Sequence, residues 1–210
     1  MKTTHTCIVY YAKIEENTDG KNTHQIQQKL AMKMLKQGFA ELFSLEFDET
    51  KIKRTSFGKP YYEGEADIYF NISHCPSAVA VAVSRNPVGI DVEGVRKIKY
   101  GTVKKCCSAE EMEYVLGEKD KNLSDEATKR FLQVWTLKES YVKMTGEGLR
   151  MSVDTIRFNM KSFQKEDVTN CYTKMYQPDE LFIALSIENF SMESAEEILL
   201  QKFIVQNGEK

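Results

Sequence analysis

Hydrophobic residues along this chain recur with two different spacings, and each spacing predicts one type of element. In residues 25–43, and again from about residue 125 to 144, apolar side chains return every three or four positions, which predicts two amphipathic helices. Gly146 and Gly148 mark the end of the second helix. Short apolar or alternating runs predict strands. These runs are residues 8–12, 68–72, 78–84, 88–92, 156–160, 172–176 and 181–187.

The order of the predicted elements indicates a mixed fold in two parts. The three strands between residues 68 and 92 are expected to be neighbours, and the Ser-Ala-Glu-Glu sequence at 108–111 is a capping box that opens a further helix. A helix followed by strands therefore occurs twice. This order predicts an α+β protein of two similar subdomains, residues 1–105 and 106–210, in one chain. Residues 193–206 fit a helix or a strand equally well.

Composition and charge exclude several classes of protein. The 210 residues carry 29 Lys and Arg against 31 Asp and Glu, a net charge of −2, which gives no overall positive field for a nucleic acid. The longest aliphatic run, residues 78–83, is far shorter than the roughly 20 residues needed to cross a bilayer. The first residues lack the features of a signal peptide, so a cytoplasmic protein without a membrane or nucleic-acid partner is expected. Five cysteines without a C-x-x-C spacing are expected to be reduced and mostly buried.

Two carboxylates share one face of the strand predicted at residues 88–92. Because side chains alternate along a strand, Gly89, Asp91 and Glu93 point away from the face that carries the valines and the isoleucine. Gly89 adds no side chain there, which leaves room for a ligand. Neighbouring carboxylates favour an oxygen-ligated cation such as Mg²⁺ or Mn²⁺. A solvated acidic pair at a strand end is the alternative, and the pair taken alone favours it.

Glu139 lies on the apolar side of the second long helix. At about 3.6 residues per turn, Phe131, Trp135 and Val142 share one arc, and Glu139 falls inside it. An isolated carboxylate in such a position must be neutralised, paired or bound to a metal. Lys143, one turn further on, offers an i, i+4 partner. The helix alone does not decide between this ion pair and a metal.

Three further positions between the strands carry groups that can contact a phosphate. Lys59 in a Gly-Lys-Pro segment, and Ser73 and His74 in an Asn-Ile-Ser-His segment, supply ammonium, hydroxyl and imidazole donors. Each of these residues also occurs in ordinary turns. Glu111 fills the last position of the capping box, and serving the helix backbone is a sufficient role for its carboxylate.

Four segments of the chain form a recognisable series. They are Gly-Lys-Pro at 58–60, Phe-Asn-Ile-Ser-His at 70–74, Val-Gly-Ile-Asp-Val-Glu at 88–93 and Trp-Thr-Leu-Lys-Glu-Ser-Tyr-Val-Lys at 135–143. In order and spacing this series resembles the signature blocks of the surfactin-type (Sfp-type) 4′-phosphopantetheinyl transferases. The resemblance covers about residues 55–145 in detail, and the two ends only in length and pattern of elements.

The resemblance implies an activity and a partner. An enzyme of this family transfers the 4′-phosphopantetheine arm of coenzyme A to a serine of an acyl or peptidyl carrier protein and releases adenosine 3′,5′-bisphosphate. The resemblance also implies two similar α+β halves with the active site in the cleft between them, which agrees with the doubled order of elements. The nucleophile belongs to the partner, so a Ser-His-Asp arrangement is not expected in this chain.

The resemblance further assigns roles to the acidic and basic candidates. Asp91, Glu93 and Glu139 would hold Mg²⁺ against the pyrophosphate, where charge must be neutralised during phosphoryl transfer. By similarity, Glu111 would be the base that takes the serine proton, directly or through a water. Lys143 would contact the phosphates, and its charge also offsets the carboxylates.

By the same resemblance, Lys59, Ser73 and His74 would bind the 3′-phosphate of coenzyme A. The chain departs from the family pattern in two places. Many relatives carry a His-Arg pair near the start of the first long helix, where this chain has His-Gln at 24–25, so the role of that arginine is unassigned. His-Cys-Pro at 74–76 replaces the more usual His-Ser, which affects only the shape of the loop.

Two other functions remain as alternatives. A non-catalytic carrier-binding module of the same fold would have lost a metal carboxylate or Lys143, and none is missing. Another Mg²⁺-dependent phosphoryl transferase would need a phosphate-binding loop, and the sequence has neither G-x-x-x-x-G-K-[ST] nor a kinase-like glycine loop. A monomer is the default expectation. The surface that docks a carrier helix is expected to be partly apolar and partly basic, with Lys104 and Lys105 as candidates, although a run of lysines more often forms a solvated face.

Overall fold

The fold is built around two sheets that take strands from both ends of the chain. A computed structural model describes residues 5–14, 20–117, 123–190 and 198–204. The helices are α1 (Gly20–Phe43), α2 (Tyr100–Cys106), α3 (Ala109–Leu116) and α4 (Asp125–Thr145). The strands are β1 (Cys7–Lys13), β2 (Ile52–Arg54), β3 (Pro60–Tyr62), β4 (Tyr69–Cys75), β5 (Ala78–Ser84), β6 (Val88–Gly94), β7 (Phe158–Asn159), β8 (Gln164–Lys165), β9 (Cys171–Tyr176), β10 (Leu181–Glu188) and β11 (Ile198–Lys202).

The elements with a long or regular pattern are confirmed, and the short ones are where the structure differs. The strand predicted at 156–160 is reduced to the two residues of β7, because a 3-10 helix at Val153–Thr155 precedes it and a turn follows. Helix α2 and the β2–β3 hairpin are not predicted, since so few residues show no clear period. In the ambiguous segment 193–206, residues 198–202 form β11, while 193–197 and 205–206 lie outside the described residues.

The two sheets exchange strands across the predicted boundary at residue 105. The four-stranded sheet has the order β11-β1-β5-β4, and the three-stranded sheet has the order β6-β10-β9. The backbone of β6 therefore pairs with β10 rather than with β5, and β11 returns to lie parallel to β1. The division into 1–105 and 106–210 stays a prediction. The predicted similarity of the two halves is not confirmed, because the sheets differ in strand number and order.

Side chains, rather than a backbone ladder, join the two sheets where β4 runs beside β6. The Ile90 N–H donates to Asn71 Oδ1 at 2.9 Å, and the Val92 N–H donates to Ser73 Oγ at 3.3 Å. Both bonds step by two residues in the same direction, so the two strands run parallel. Buried backbone N–H groups need partners. The Asn-Ile-Ser sequence of β4 supplies partners for β6 along this seam.

Alternation along β5 separates two cores. Its three valines, at 79, 81 and 83, face the core beneath α1, whereas its three alanines, at 78, 80 and 82, face the three-stranded sheet. The small alanines allow the two sheets to approach closely. On the far side of the three-stranded sheet, Leu137 of α4 packs with Ala184 of β10. The packing order is therefore α1, four-stranded sheet, three-stranded sheet, α4.

The cysteines and the helices bear on the environment of the chain. Four of the five cysteines are buried, which confirms the expectation of mostly buried thiols, and all five are free in this structure. In the described part of the chain, no helix combines the length and apolar character that crossing a bilayer requires. The cytoplasmic location stays a prediction.

Candidate active site

The candidate site lies where β6 meets helix α4. A Cβ at Gly89 would lie 2.0 Å from the Ser140 carbonyl oxygen and 2.3 Å from the Met144 nitrogen. The sequence predicts room for a ligand at Gly89, but this prediction is wrong, because the backbone of α4 fills the space. The close approach of strand and helix brings Asp91 of β6 beside Lys143 of α4.

Asp91, Ser73 and Lys143 form one hydrogen-bonded cluster. Lys143 Nζ donates to Asp91 Oδ1 at 2.5 Å and to Ser73 Oγ at 2.8 Å. The Ser73 hydroxyl donates to the same Asp91 oxygen at 2.9 Å. Asp91 and Ser73 are 5% and 4% exposed, whereas the Lys143 side chain is 28% exposed. The cluster is thus closed on the side of the strands and open to solvent at the ammonium group.

The second carboxylate oxygen of Asp91, Oδ2, is buried and has no hydrogen-bond partner among the described residues. Burial raises the pKa of Asp91, against the opposing effect of the Lys143 ammonium group. An unpartnered buried carboxylate oxygen costs free energy. Asp91 therefore presents an oxygen ligand that the described protein atoms leave unsatisfied, as expected of a cation site.

Glu93 is held by a guanidinium and an indole. Arg96 donates to Glu93 through Nε and Nη2, each at 3.2 Å, and Trp135 Nε1 donates to Glu93 Oε1 at 3.1 Å. Because Trp135 belongs to α4, this bond ties β6 to the helix a second time. Sequence reasoning missed both partners. The sequence assigns Trp135 to the apolar arc. The only sign of a polar contact is that a partly buried indole N–H needs an acceptor.

Glu139 is half-buried and makes no ion pair with any described residue. Burial raises its pKa, and the negative charge of Asp91 raises it further. The i, i+4 alternative is not formed, because Lys143 bonds to Asp91 instead. Among the described residues, no group of three or more His, Cys, Asp and Glu side chains is arranged to hold a metal ion. The metal-binding role of Asp91, Glu93 and Glu139 stays a prediction.

Glu111 has a different environment, in which every contact is internal. Its Oε2 accepts from Lys138 Nζ at 2.6 Å and from the Ser108 N–H at 2.7 Å, and its Oε1 accepts from the Phe158 N–H at 3.3 Å. The side chains of Glu111 and Lys138 are 1% and 0% exposed. The capping box is confirmed. A carboxylate with both oxygens engaged and no exposure is not accessible to the serine of a partner, so these contacts oppose the predicted role of Glu111 as base.

Lys138 is a buried residue that sequence reasoning missed. Its Nζ also donates to the Cys106 carbonyl at 2.6 Å and the Val153 carbonyl at 3.1 Å. It therefore ties the end of α2, helix α3 and the 3-10 helix at Val153–Thr155 to α4. The signal was present in the sequence, because Lys138 follows Phe131 by seven residues and so falls close to the centre of the apolar stripe.

Of the three residues assigned to the 3′-phosphate, only His74 has an exposed side chain. The Ser73 hydroxyl is engaged in the cluster with Asp91. Lys59 Nζ donates to the Met144 carbonyl at 2.6 Å and the Val88 carbonyl at 3.4 Å. Burial lowers the pKa of Lys59 to about 8. Lys59 thus fastens its loop to the end of α4, and its phosphate-binding role stays a prediction.

His74 has a neighbour from another part of the chain. The ring centroids of His74 and His24 are 6.1 Å apart, with the rings at 84° to each other, and both side chains are exposed. Burial lowers the pKa of His74, and the proximity of His24 and of Lys143 lowers it further. The His-Gln departure at 24–25 thereby retains one imidazole beside the cluster.

Two cavities of about 480 Å³ each lie beside the site and share Lys59 and Pro60 in their walls. The first is lined by Phe57, Gly58, Lys59, Pro60, Asn71, Ile72, Glu139, Val142, Lys143, Gly146, Gly148, Met151 and Val153. The second is lined by Thr55, Lys59, Pro60, Tyr61, Ile68, Tyr69, Phe70, Pro87, Met144, Thr145, Glu147 and Glu188. The first cavity gives a concave approach to Glu139 and Lys143.

Comparison with known proteins identifies similar sequences. The 4′-phosphopantetheinyl transferase superfamily model matches residues 87–195. The chain is 32% identical over 145 residues to the 4′-phosphopantetheinyl transferase Sfp of Bacillus subtilis, and the matched stretch covers 65% of this chain and 62% of that protein. It is 29% identical over 158 residues to the 4′-phosphopantetheinyl transferase gsp of Aneurinibacillus migulanus, a match that covers 71% of this chain and 61% of that protein. It is 31% identical over 151 residues to the L-aminoadipate-semialdehyde dehydrogenase-phosphopantetheinyl transferase of Saccharomyces cerevisiae, covering 65% and 52%.

The coverage of these matches is uneven. The chain spans about half to three fifths of the length of the curated relatives it matches. The matched residues 87–195 include Asp91, Glu93, Glu139 and Lys143, whereas the three residues assigned to the 3′-phosphate lie before them.

Proposed function

Because this chain belongs to the 4′-phosphopantetheinyl transferase superfamily, we propose that it transfers the 4′-phosphopantetheine arm of coenzyme A to a serine of an acyl or peptidyl carrier protein. Adenosine 3′,5′-bisphosphate leaves. The serine oxygen loses its proton to water and forms a bond to phosphorus as the bond from that phosphorus to the nucleotide's bridging oxygen breaks. Relatives named as 4′-phosphopantetheinyl transferases support this reaction.

The observation that carries the proposal is the cluster of Asp91, Ser73 and Lys143. It sets an ammonium group beside a buried carboxylate oxygen to which no described residue donates a hydrogen bond. Phosphoryl transfer asks little covalent chemistry of a protein and depends on positive charge around the phosphate oxygens and the leaving group. Lys143 supplies one such charge, and Asp91 Oδ2 offers a ligand for a second.

Mg²⁺, with Mn²⁺ as the alternative, is the cation that suits this donor set. All three candidate ligands are carboxylates, and Mg²⁺ and Mn²⁺ both prefer oxygen ligands. Asp91, Glu93 and Glu139 would hold the ion. When bound, it would neutralise charge on the pyrophosphate oxygens. Asp91 Oδ2 is the atom of this structure that fits it best, because it is buried and lacks a donor.

Lys143 is proposed to orient the pyrophosphate. Its ammonium group is fixed by Asp91 and Ser73 and still exposed enough to reach a ligand. A cation that is already positioned loses little freedom when the phosphate arrives, which is how a fixed charge contributes to catalysis. Glu111 enters the proposal only through its contact with Lys138, which holds α4 in place.

The nucleotide end of coenzyme A is proposed to lie along the loop before β3 and the end of β4. His74 and its neighbour His24 would contact the phosphates directly, because both imidazoles are exposed. Ser73 would act through Lys143, and Lys59 through the loop that it fastens to α4. The cavity at Glu139 and Lys143 has room for part of the donor.

A mass-shift assay tests the proposal. The chain is incubated with coenzyme A, Mg²⁺ and a panel of purified apo carrier proteins, and modified carrier is measured by mass spectrometry. The wild-type chain is expected to modify at least one carrier. Asp91→Asn removes the charged ligand with little change in shape and is expected to abolish transfer. Glu113→Gln, on the exposed side of α3, is the matched control and should retain full activity.

Two outcomes would contradict the proposal in different ways. Full activity of Asp91→Asn would refute the role of the cluster. Binding of apo carrier without any transfer would favour the non-catalytic module instead. Isothermal titration with Mg²⁺ adds a readout apart from turnover, since the wild-type chain should bind the ion and Asp91→Asn should not.

A second assay tests the nucleotide site. His74→Ala is expected to weaken the use of coenzyme A more than that of dephospho-coenzyme A, because the latter has no 3′-phosphate to contact. The measured quantity is the ratio of KM values for the two donors. Equal losses for both donors would remove this role from His74.

A further inference from the structure

The second cavity, which the proposed function does not use, lies toward the opposite end of β4 and β6 from the candidate metal ligands. The two strands run parallel, and Asp91 and Glu93 lie in the middle and near the end of β6. The second cavity is instead lined by Ile68 and Tyr69, where β4 begins, and by Pro87, directly before β6. Its volume of about 480 Å³ is typical of cavities that hold small organic ligands. The second cavity is therefore not an extension of the metal site.

The lining of the second cavity carries more negative than positive charge. Glu147 and Glu188 contribute two carboxylates, and neither makes an ion pair with a described residue. The described lining has one cation, Lys59, whose Nζ donates to the carbonyl oxygens of Met144 and Val88. Burial lowers the pKa of Lys59 to about 8, and the negative charge of Glu188 opposes this shift. Lys59 therefore offsets the two carboxylates only in part.

Most of the remaining wall of the second cavity is apolar or aromatic. Ile68 and Phe70 are buried and contribute hydrocarbon surface. The exposed Tyr61 and the half-buried Tyr69 add two phenol rings. The face of a tyrosine ring attracts a cation, and apolar walls favour a ligand with an apolar body. The charge and the walls together favour a cation that carries hydrocarbon.

We propose that the second cavity is a binding site for a small organic ammonium ion, that is, a protonated amine on an aromatic or aliphatic body. The ammonium group would pair with Glu147 and Glu188, and the body would pack against the apolar wall beside Ile68 and Phe70. This inference goes beyond the proposed function and does not depend on it, because it uses none of the residues assigned to the metal or to the pyrophosphate.

An anionic ligand, such as a phosphate of coenzyme A, fits the second cavity less well. The two carboxylates would repel it, and the ammonium group of Lys59 already donates to two carbonyl oxygens. The first cavity is lined instead by Lys143, whose ammonium group is partly exposed. Charge thus separates the ligands of the two cavities, although Lys59 and Pro60 form a wall that both share.

Three probes of similar shape and different charge test the site. Phenethylamine is a cation at neutral pH, phenethyl alcohol is neutral and hydrocinnamate is an anion. Each probe is titrated into the isotope-labelled full chain, and the changes in amide chemical shift give both the Kd and the place of binding. The amine is expected to bind with a Kd of about 1 mM, with the largest shifts at Tyr69 and Thr145. The other two probes should bind at least about fivefold more weakly.

Variants of the carboxylates test which charge the amine recognises. Glu147→Gln/Glu188→Gln removes both charges with little change in shape and is expected to weaken phenethylamine by about tenfold, but not phenethyl alcohol. Glu113→Gln/Glu166→Gln, at exposed positions outside the cavity, is the control of equal charge change and should bind the amine as wild type does. If circular dichroism shows that the double variant does not fold, the exposed Glu147→Gln alone should weaken the amine by about threefold.

Saturating coenzyme A provides the last arm, and the Kd of phenethylamine should stay close to its value without the donor. Competition between the two would overturn the second cavity as a separate site and would assign the amine to the donor site. Equal binding of all three probes, an unchanged Kd in the carboxylate variants, or no shift in the cavity wall at about 10 mM amine would also overturn the inference. Amine binding without transfer to any carrier would refute the proposed function alone.

Discussion

Helix α4 carries two lysines, five residues apart, that pair with buried carboxylates in opposite ways. Lys138 and Glu111 are both fully buried, and both oxygens of Glu111 accept hydrogen bonds. Lys143 bonds to one oxygen of Asp91 and remains partly exposed itself, and the other oxygen has no partner in the part of the chain that the structure describes. The same two chemical groups therefore form a buried, fully hydrogen-bonded ion pair between helices in one region. In the other region they form a partly exposed ion pair that is not fully hydrogen-bonded.

The difference teaches how to separate a structural ion pair from a functional one in this molecule. A pair that is fully buried as well as fully hydrogen-bonded presents no atom to a ligand, and breaking such a pair mainly costs stability. An incompletely bonded pair keeps a cost in the folded state that a ligand can remove. The comparison therefore predicts opposite effects for the two lysines, one on transfer and one on stability.

Lys143→Met is expected to have the largest effect of all, on the rate of transfer. Losing one positioned charge at the phosphates should lower the rate by about 10²–10³-fold. Stability should change much less, because the ammonium group is partly exposed and Asp91 can take up a proton when its partner is gone. The mass-shift assay gives the rate, and thermal unfolding followed by circular dichroism gives the stability. A rate close to wild type would place Lys143 outside the chemistry.

Lys138→Met should act in the opposite way, by lowering the free energy of unfolding by about 3–5 kcal/mol. The variant leaves the Glu111 carboxylate buried without its cation. Urea denaturation measures the loss. The double variant Lys138→Met/Glu111→Leu removes both charges and should recover much of the stability. If the single variant is as stable as wild type but inactive, the distinction between the two pairs is wrong.

Elements and residues with a local signal can be predicted from the sequence alone. The 3.6-residue period predicts α1 and α4, and the alternation in 88–93 sets Asp91 and Glu93 on one face. These two predictions succeed because each depends on residues that are close together in the chain. The i, i+4 spacing of Glu139 and Lys143 is equally local, but the ion pair that it offers does not form, because Lys143 bonds to Asp91 instead.

Other features could not be predicted because they depend on contacts between distant residues. Nothing local indicates that β6 pairs with β10, or that Asn71 and Ser73 satisfy its other edge. The partner of Glu111 is likewise a lysine from another helix, 27 positions away in the numbering. The charge of Lys138 obscured its position on the apolar stripe. Pairing across such distances is decided by packing, which the pattern of one segment does not contain.

Gly89→Ala tests whether the close approach of β6 and α4 is what keeps the Lys143 pair in place. The added methyl group would lie 2.0 Å from the Ser140 carbonyl oxygen, so the helix must move. Overpacking of this kind costs about 1–3 kcal/mol, and transfer should fall as well. Gly101→Ala is the matched control, since a Cβ there meets nothing within 4 Å. Equal stability of the two variants would contradict the packing argument.

Lys59 is a third lysine, and it extends the comparison because its ammonium group bonds to carbonyl oxygens rather than to a carboxylate. Burial lowers its pKa from 10.5 to about 8. Between these two pH values the unfolded chain holds a proton that the folded chain has lost. The free energy of unfolding should therefore rise with pH across this window, by at most about 1.4 kcal/mol per pH unit, and this contribution is lost as pH falls through 8.

The smallest expected effect is the pH dependence of the free energy of unfolding that Lys59 contributes and that the Lys59→Met variant lacks. Urea denaturation of both proteins at several pH values between 8 and 10.5 gives the difference in unfolding free energy. This difference should move in favour of wild type as pH rises, whereas Lys36→Met, at an exposed position, should follow the wild-type slope. A constant difference for Lys59→Met would mean that its two carbonyl partners keep the ammonium group charged. In that case carbonyl oxygens would keep a buried ammonium group charged as a carboxylate does, and Lys59 would not differ in this respect from Lys138 and Lys143.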